Sequence, residues 1–147
     1  ILIAPALSGF PYSAEFVAYM NNVSAAAPDI DKMIEISQSA PSYRVVQSTP
    51  HRDLTEKMLR HHINRTFEWP AFEIIWPQPP AADRLGELTA KTLLMIGTEE
   101  LPDNRRVADY FRQHSHARIV EIPGADHMVT LTHPEDLHRH IIRFLEE

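Results

Sequence analysis

The apolar positions of this chain fall into two textures. The last third alternates short apolar runs with stretches of helical spacing. Thr92-Leu93-Leu94-Met95-Ile96 is a continuous apolar run stopped by Gly97, and Arg118-Ile119-Val120-Glu121-Ile122 is stopped by Pro123-Gly124. Runs of this length between turn residues predict buried strands. Between them, residues 103–114 predict a helix with Val107, Ala108, Tyr110 and Phe111 facing inward. Farther on, Thr132-His133-Pro134-Glu135 has the pattern of a capping box, in which the acid and the hydroxyl satisfy free N–H groups of the first turn. The helix it opens is predicted to bury Leu137, Ile141, Phe144 and Leu145, spaced i, i+4, i+7, i+8. Ile1-Leu2-Ile3-Ala4-Pro5 predicts one more buried strand, followed by a loop around Gly9.

Residues 13–80 read differently. Residues 14–27 are Ala-rich, with Phe16, Val17 and Met20 able to share a helix face. Asp29 is placed to cap a short helix carrying Met33, Ile34 and Ile36. Thr49-Pro50 marks a helix start, because Pro at the first helical position gives up no needed N–H. Leu54, Met58 and Ile63 would then fall on one side of a helix reaching Arg65. Residues 66–80 hold both tryptophans and four prolines, a density that argues against a regular element. The fold class expected is α/β: a partial parallel sheet with flanking helices, plus a helical insertion.

Composition narrows the function. A chain of 147 residues, 44% hydrophobic and 23% charged, can bury a real core and is no disordered segment. Its net charge of -6 offers no footprint for nucleic acid or an anionic membrane. Its nine histidines would offset that charge only below their pKa values. The absence of Cys excludes a disulfide scaffold, a thiolate metal site and a Cys nucleophile, and fits a cytoplasmic protein. No run approaches the roughly 18 apolar residues of a membrane span. The chain opens on Ile1-Leu2-Ile3-Ala4, without an initiator Met or the charged stretch of a signal peptide, so it is expected to begin inside a longer polypeptide.

The candidate chemistry lies just after the two late strands. One is followed by Gly97-Thr98-Glu99-Glu100-Leu101-Pro102-Asp103, the other by Gly124-Ala125-Asp126-His127-Met128. Function gathers at the carboxyl ends of strands in open parallel sheets. An acid that orients an imidazole, and an imidazole that activates a nucleophile, are two of the three partners of a triad. Alone, a loop His is commonly solvated, and acids favour the first turn of a helix. The joint order strand, acid, helix, strand, Gly-x-x-His, helix is far more specific.

That order resembles the end of the α/β-hydrolase fold over residues 84–145. Gly97-x-x-Glu100 falls where that family has its acid, and Pro123-Gly124-Ala125-Asp126-His127 resembles its histidine loop. His133-Pro134-Glu135 and Phe144-Leu145 resemble its last helix. Ile1-Leu2-Ile3-Ala4-Pro5 looks like the preceding strand, after which the family inserts a helical cap of about this size. The resemblance implies a core of residues 1–9 and 82–147, a cap of 10–81, and the C-terminal part of a serine-type hydrolase. The implied substrate is a small apolar ester, lactone or related compound. His127 would be the catalytic histidine and Glu100 the acid. The family acid is most often Asp, so Asp103, one helical turn on, stands as the alternative; its other reading is a helix N-cap.

The family's nucleophile elbow, Gly-x-Ser-x-Gly, is missing. Ser8 follows the first strand, but Phe10 stands where the elbow needs a small residue, and the family places its nucleophile earlier. Ser8 is therefore read as loop or hinge lining. Alone, the chain is expected to be inert, and its uncovered sheet edge would favour a homo-oligomer or a complementary N-terminal half. The alternative from another class is a non-catalytic binding or scaffold domain that keeps only the fold. His61-His62 would point about 100° apart on a helix, His114-x-His116 reads as solvated, and no His-Glu-x-x-His or Gly-rich phosphate loop exists. No metal or cofactor is expected. Phe10, Trp69, Phe72 and Trp76 are candidates to line an apolar pocket, or to glue cap to core.

Overall fold

The computed structural model describes residues 1–69 and 75–147. Its sheet has three parallel strands in the order β1 (Leu2–Ile3), β2 (Leu93–Gly97), β3 (Arg118–Ile122). Leu2 stands opposite Leu94, and the longer ladder runs from Leu93 opposite Arg118 to Gly97 opposite Ile122. The uninterrupted apolar run of β2 matches its central place, where both faces are covered. Leu94 and Ile96 point into a core shared with Val107, Ala108 and Phe111 of α5 (Pro102–His114). Leu93 and Met95 point the other way, against Val129 of α6 (Val129–Thr132) and Leu137 and Phe144 of α7 (Pro134–Glu146). This is the period-two alternation of a strand between two helical layers.

β1 is shorter and more open than its composition suggests. Ala4 leaves the extended region at φ 42°, which ends the strand after two residues. Ile1 and Ile3 are 51% and 37% exposed, because β1 is an edge strand and nothing among the described residues lies beyond it. Leu145, also expected inside, is 66% exposed. It lies about 100° around the helix from Phe144, outside the narrow stripe that faces β2. The capping box at α7 does not form either. Thr132 ends α6, where its N–H already donates to the Met128 carbonyl at 3.1 Å, so Glu135 has no free donor to cap. Pro134 takes the first helical position instead.

Between β1 and β2 lies the helical insertion: α1 (Ala14–Ala25), α2 (Ile30–Gln38), a 3-10 turn (Pro41–Tyr43), α3 (Arg44–Gln47), α4 (Arg52–Phe67) and a second 3-10 turn (Ala81–Glu87). Asp29 caps α2 as expected, accepting from the Lys32 N–H at 3.0 Å. α4 starts two residues later than Thr49-Pro50 predicts. Thr49 closes the preceding turn instead, donating to the Val46 carbonyl at 2.8 Å and accepting from the His51 N–H at 3.2 Å. Leu54 and Met58 face outward at 45% and 48% exposure, whereas Thr55 and Ile63 are buried. Val17 is likewise exposed.

The site depends on one glycine at the end of β2. A Cβ at Gly97 would lie 2.1 Å from the Ala125 carbonyl oxygen, where the loop after β3 crosses the strand end. Around it the Thr98 N–H donates to the Ile122 carbonyl at 3.1 Å and the Glu99 N–H to the Ala125 carbonyl at 2.9 Å. Gly97→Ala must push backbone from backbone. It is expected to cost about 3 kcal/mol or more, read from urea-unfolding midpoints. A change within about 0.5 kcal/mol would show that the crossing is not as tight as described.

Candidate active site

Two loops converge at the carboxyl ends of β2 and β3. After Gly97 the chain turns at Thr98 and Glu99 and brings Glu100 inward, with its side chain fully buried. After β3, Gly124 adopts φ 75°, a left-handed turn that suits glycine, and its N–H donates to the Thr98 hydroxyl at 2.9 Å. Two residues later Asp126 is buried, and His127 reaches back to the neighbouring loop.

His127 Nδ1 lies 2.6 Å from Glu100 Oε2. The other carboxylate oxygen, Oε1, accepts from the Leu101 N–H at 2.9 Å, so both oxygens are held. A carboxylate only accepts, so Nδ1 carries the ring proton and donates it to Glu100, which leaves the Nε2 lone pair free. The imidazole is partly open, at 36% side-chain exposure, and lines a cavity of about 300 Å³. The other walls include Phe16, Tyr19, Met20 and Val23 of α1, and Ser42 and Tyr43 of the 3-10 turn. Among the described residues, no Asp, Glu, Lys or Arg lines it. The Tyr43 ring stands edge-on to His127, with centroids 6.0 Å apart.

The electrostatics follow from burial and these partners. The Glu100 hydrogen bond holds the His127 pKa above its ordinary 6.5; burial opposes it, and the charges of Glu100 and Asp126 assist. Tyr43 is pushed up to about 12, by burial first and then by Tyr19, Glu100 and Asp126, so it remains a neutral phenol. Tyr19 is also raised, chiefly by burial. A raised folded-state pKa means that the histidine contributes stability below its unfolded value, and that this is lost as pH rises through the folded value. His127→Gln is therefore expected to cost more stability at about pH 6 than at about pH 9. Solvent access to the ring makes the difference modest. Unfolding midpoints at both pH values check this, and an equal or larger cost at the higher pH would contradict it.

Asp103 stands elsewhere. Its Oδ1 accepts from the Ser13 N–H at 2.7 Å and from Arg106 at 2.9 Å, and its Oδ2 from the Ser13 hydroxyl at 2.6 Å. Burial acts to raise its pKa, but Ser13 and Arg106 outweigh that and hold it low. The geometry thus brings Glu100 to His127 and gives Asp103 to Ser13, the N-cap of α1. Nor is Asp103 the N-cap of α5, a position taken by Leu101. Asp103→Asn is expected to lower stability by about 1–3 kcal/mol, read from urea-unfolding midpoints; an unchanged midpoint would show that the Ser13 and Arg106 contacts do not hold the carboxylate in place.

Ser8 sits at the other end of the insertion. Its hydroxyl accepts from the Ala81 N–H at 2.9 Å and its carbonyl from the Ala82 N–H at 3.0 Å, so it ties the loop after β1 to the start of the second 3-10 turn. Phe10 is buried against Tyr12 and Tyr110, with the Arg106 guanidinium over its ring, and so joins the insertion to α5. Trp69 and Trp76 are more than half exposed, and Trp76 lines a separate groove with Phe10. Phe72 lies outside the described residues. The aromatic wall beside His127 instead comes from Phe16, Tyr19 and Tyr43. The signal was present in the sequence: Phe16, Tyr19, Met20 and Val23 are spaced i, i+3, i+4, i+7 on α1. Among the described residues, no group of three or more His, Cys, Asp or Glu side chains is placed to hold a metal ion. No helix among them is long and apolar enough to cross a membrane.

No family model and no curated protein sequence matches the chain. Solved structures do match. MenH from S. aureus superposes at TM-score 0.65 and 13% identity, covering 88% of this chain and 50% of that one. Naproxen esterase (carboxylesterase NP) from Bacillus subtilis gives 0.58 and 16%, covering 97% and 49%. Proline iminopeptidase from Mycobacterium smegmatis gives 0.50 and 17%, covering 90% and 52%. All three are α/β-hydrolase-fold proteins, and the chain spans about half the length of each. With its parallel sheet covered on both faces by helices, the chain has a partial α/β-hydrolase fold.

Proposed function

We propose that the chain is the C-terminal part of a serine-type α/β-hydrolase that cleaves an ester, lactone or related bond. The observation that carries this reading is the 2.6 Å contact between His127 Nδ1 and the buried Glu100, at the ends of adjacent parallel strands. In the reaction, His127 Nε2 takes the proton of a serine hydroxyl as it attacks the carbonyl, and returns it to the leaving group. Glu100 holds the ring's tautomer and stabilises the imidazolium that forms. Residues 10–81 act as the cap, and 1–9 with 82–147 belong to the core.

The nucleophile lies outside this chain. Ser8 Oγ is engaged with the hinge at Ala81, so it does not serve. The complementary half supplies the serine and covers the open edge of β1, where Ile1 and Ile3 are exposed. On this chain's side the cavity offers apolar and neutral groups, which favours a small uncharged acyl or aryl group. The test is turnover by the complete polypeptide of p-nitrophenyl esters bearing neutral, carboxylate or ammonium acyl chains. Preference for the neutral esters is expected. No turnover of any ester by a folded complete polypeptide would reject the hydrolase and leave a non-catalytic binding domain.

A further inference from the structure

Asp126 is fully buried beside His127 and plays no part in the proton transfers above. A buried carboxylate is costly unless donors hold it. Here Oδ1 accepts from the Met128 N–H at 3.1 Å, a local turn contact. The other oxygen is used far away in sequence: Oδ2 accepts from the N–H of Val46, in α3 of the insertion, at 2.8 Å. Val46 is itself fully buried. The bond is answered in the opposite direction, since the His127 N–H donates to the carbonyl of Ser42 at 2.9 Å. Residues 42–46 of the insertion and 126–128 of the histidine loop are therefore laced together by reciprocal bonds. Two N–H donors converge on Asp126, so only a group that accepts at both ends satisfies them. An amide would turn its NH₂ toward one of the two donors.

We propose that Asp126 is a positioning residue that docks the insertion onto the histidine loop, so that His127 is held in register with Glu100 only while residues 42–46 are seated. The site is then assembled by the insertion as well as covered by it. The carboxylates facing the imidazole are Glu100 from the β2 loop and Asp126 from its own loop, and the insertion adds the neutral Tyr43 ring. The kinetic consequence rests on the hydrolase reading; the docking itself does not.

Hydrogen exchange on the complete wild-type polypeptide tests the docking without any variant. The Val46 and His127 amides should open in one event, with protection factors within about threefold of each other. A separation of more than threefold overturns the proposal. Asp126→Asn then tests the consequence. Both amides should lose at least tenfold in protection while that of Met95 in β2 is retained. At equal active-site titre, kcat should fall about 10- to 100-fold, the scale of a small misplacement of a reacting group, with KM within threefold. The acid limb of the pH–rate profile should move to lower pH, because one carboxylate facing the imidazole is gone. Unchanged kcat per titrated site, or an unmoved limb, reduces Asp126 to a structural residue and overturns the proposal. If the wild-type polypeptide cleaves no ester, the hydrolase reading fails, and the exchange experiment still decides the docking.

Discussion

On the reading proposed above, replacing His127 with alanine is expected to lower kcat of the complete polypeptide by roughly 10⁴- to 10⁶-fold. A serine hydroxyl is a poor nucleophile until a base takes its proton, and the leaving group is poor until an acid protonates it. One imidazole does both, so its loss removes both steps. What remains is binding and whatever polarises the carbonyl in the complementary half. KM should change far less, because His127 contributes one wall of a cavity otherwise made of apolar and neutral side chains. Steady-state turnover of a p-nitrophenyl ester, with folding checked by circular dichroism, is the measurement. Retention of more than about a tenth of the rate would remove His127 from the chemistry, since general acid–base catalysis alone is worth at least about 10²-fold.

Glu100→Gln should come next in size, with a loss of roughly 10³- to 10⁴-fold in kcat. The substitution keeps the shape of the side chain and removes its charge. A carboxylate only accepts, so it fixes the proton on Nδ1 and leaves Nε2 free to take one. An amide can present its NH₂ to Nδ1, which puts the imidazole proton on Nε2 and blocks its role as base. The imidazolium that forms in the transition state also loses its counter-charge in a buried setting, where electrostatic terms are large. The acid limb of the pH–rate profile should shift downward as well, since the Glu100 hydrogen bond is the main cause of the raised His127 pKa. Glu100→Gln activity close to wild type would show that the 2.6 Å contact is incidental.

Glu100 is anchored through Oε1 to the N–H of Leu101, at the start of α5, while Oε2 meets His127 on the neighbouring loop. Two carboxylates one helical turn apart are separated by their partners rather than by their charge. Asp103 is occupied by Ser13 and Arg106, whereas Glu100 is left for His127.

How much of this could be read from the chain depended on how local the cause was. β2 was plain, because a strand covered on both faces needs an unbroken apolar run, and Leu93 to Ile96 supply one. That Glu100 and His127 lie at the same end of the sheet was plain, because parallel strands bring their carboxyl ends together. Leu54, Met58 and Leu145 are exposed for a shared reason. Periodicity says which residues share a face but not whether that face finds a partner, and these three do not find one among the described residues. β1 was overestimated because an apolar run does not reveal whether a second strand lies beyond it. Which of Glu100 and Asp103 meets His127 hung on Ser13, ninety residues away in sequence, which no local pattern connects to Asp103. Phe16 and Tyr19 were legible as a helical stripe, but a stripe does not tell a cavity wall from a core. Asp126 read as part of the histidine loop; its partner Val46 lies eighty residues away.

On the proposed reading, this chain supplies the histidine and acid of a triad whose serine lies elsewhere in the same polypeptide. The direct test is to treat the complete polypeptide with a fluorophosphonate, digest it, and locate the adduct by mass spectrometry. A single adduct is expected on a serine outside these 147 residues, formed by the wild type and strongly suppressed in His127→Ala. An adduct on Ser8 or Ser42, or labelling that does not depend on His127, would contradict it.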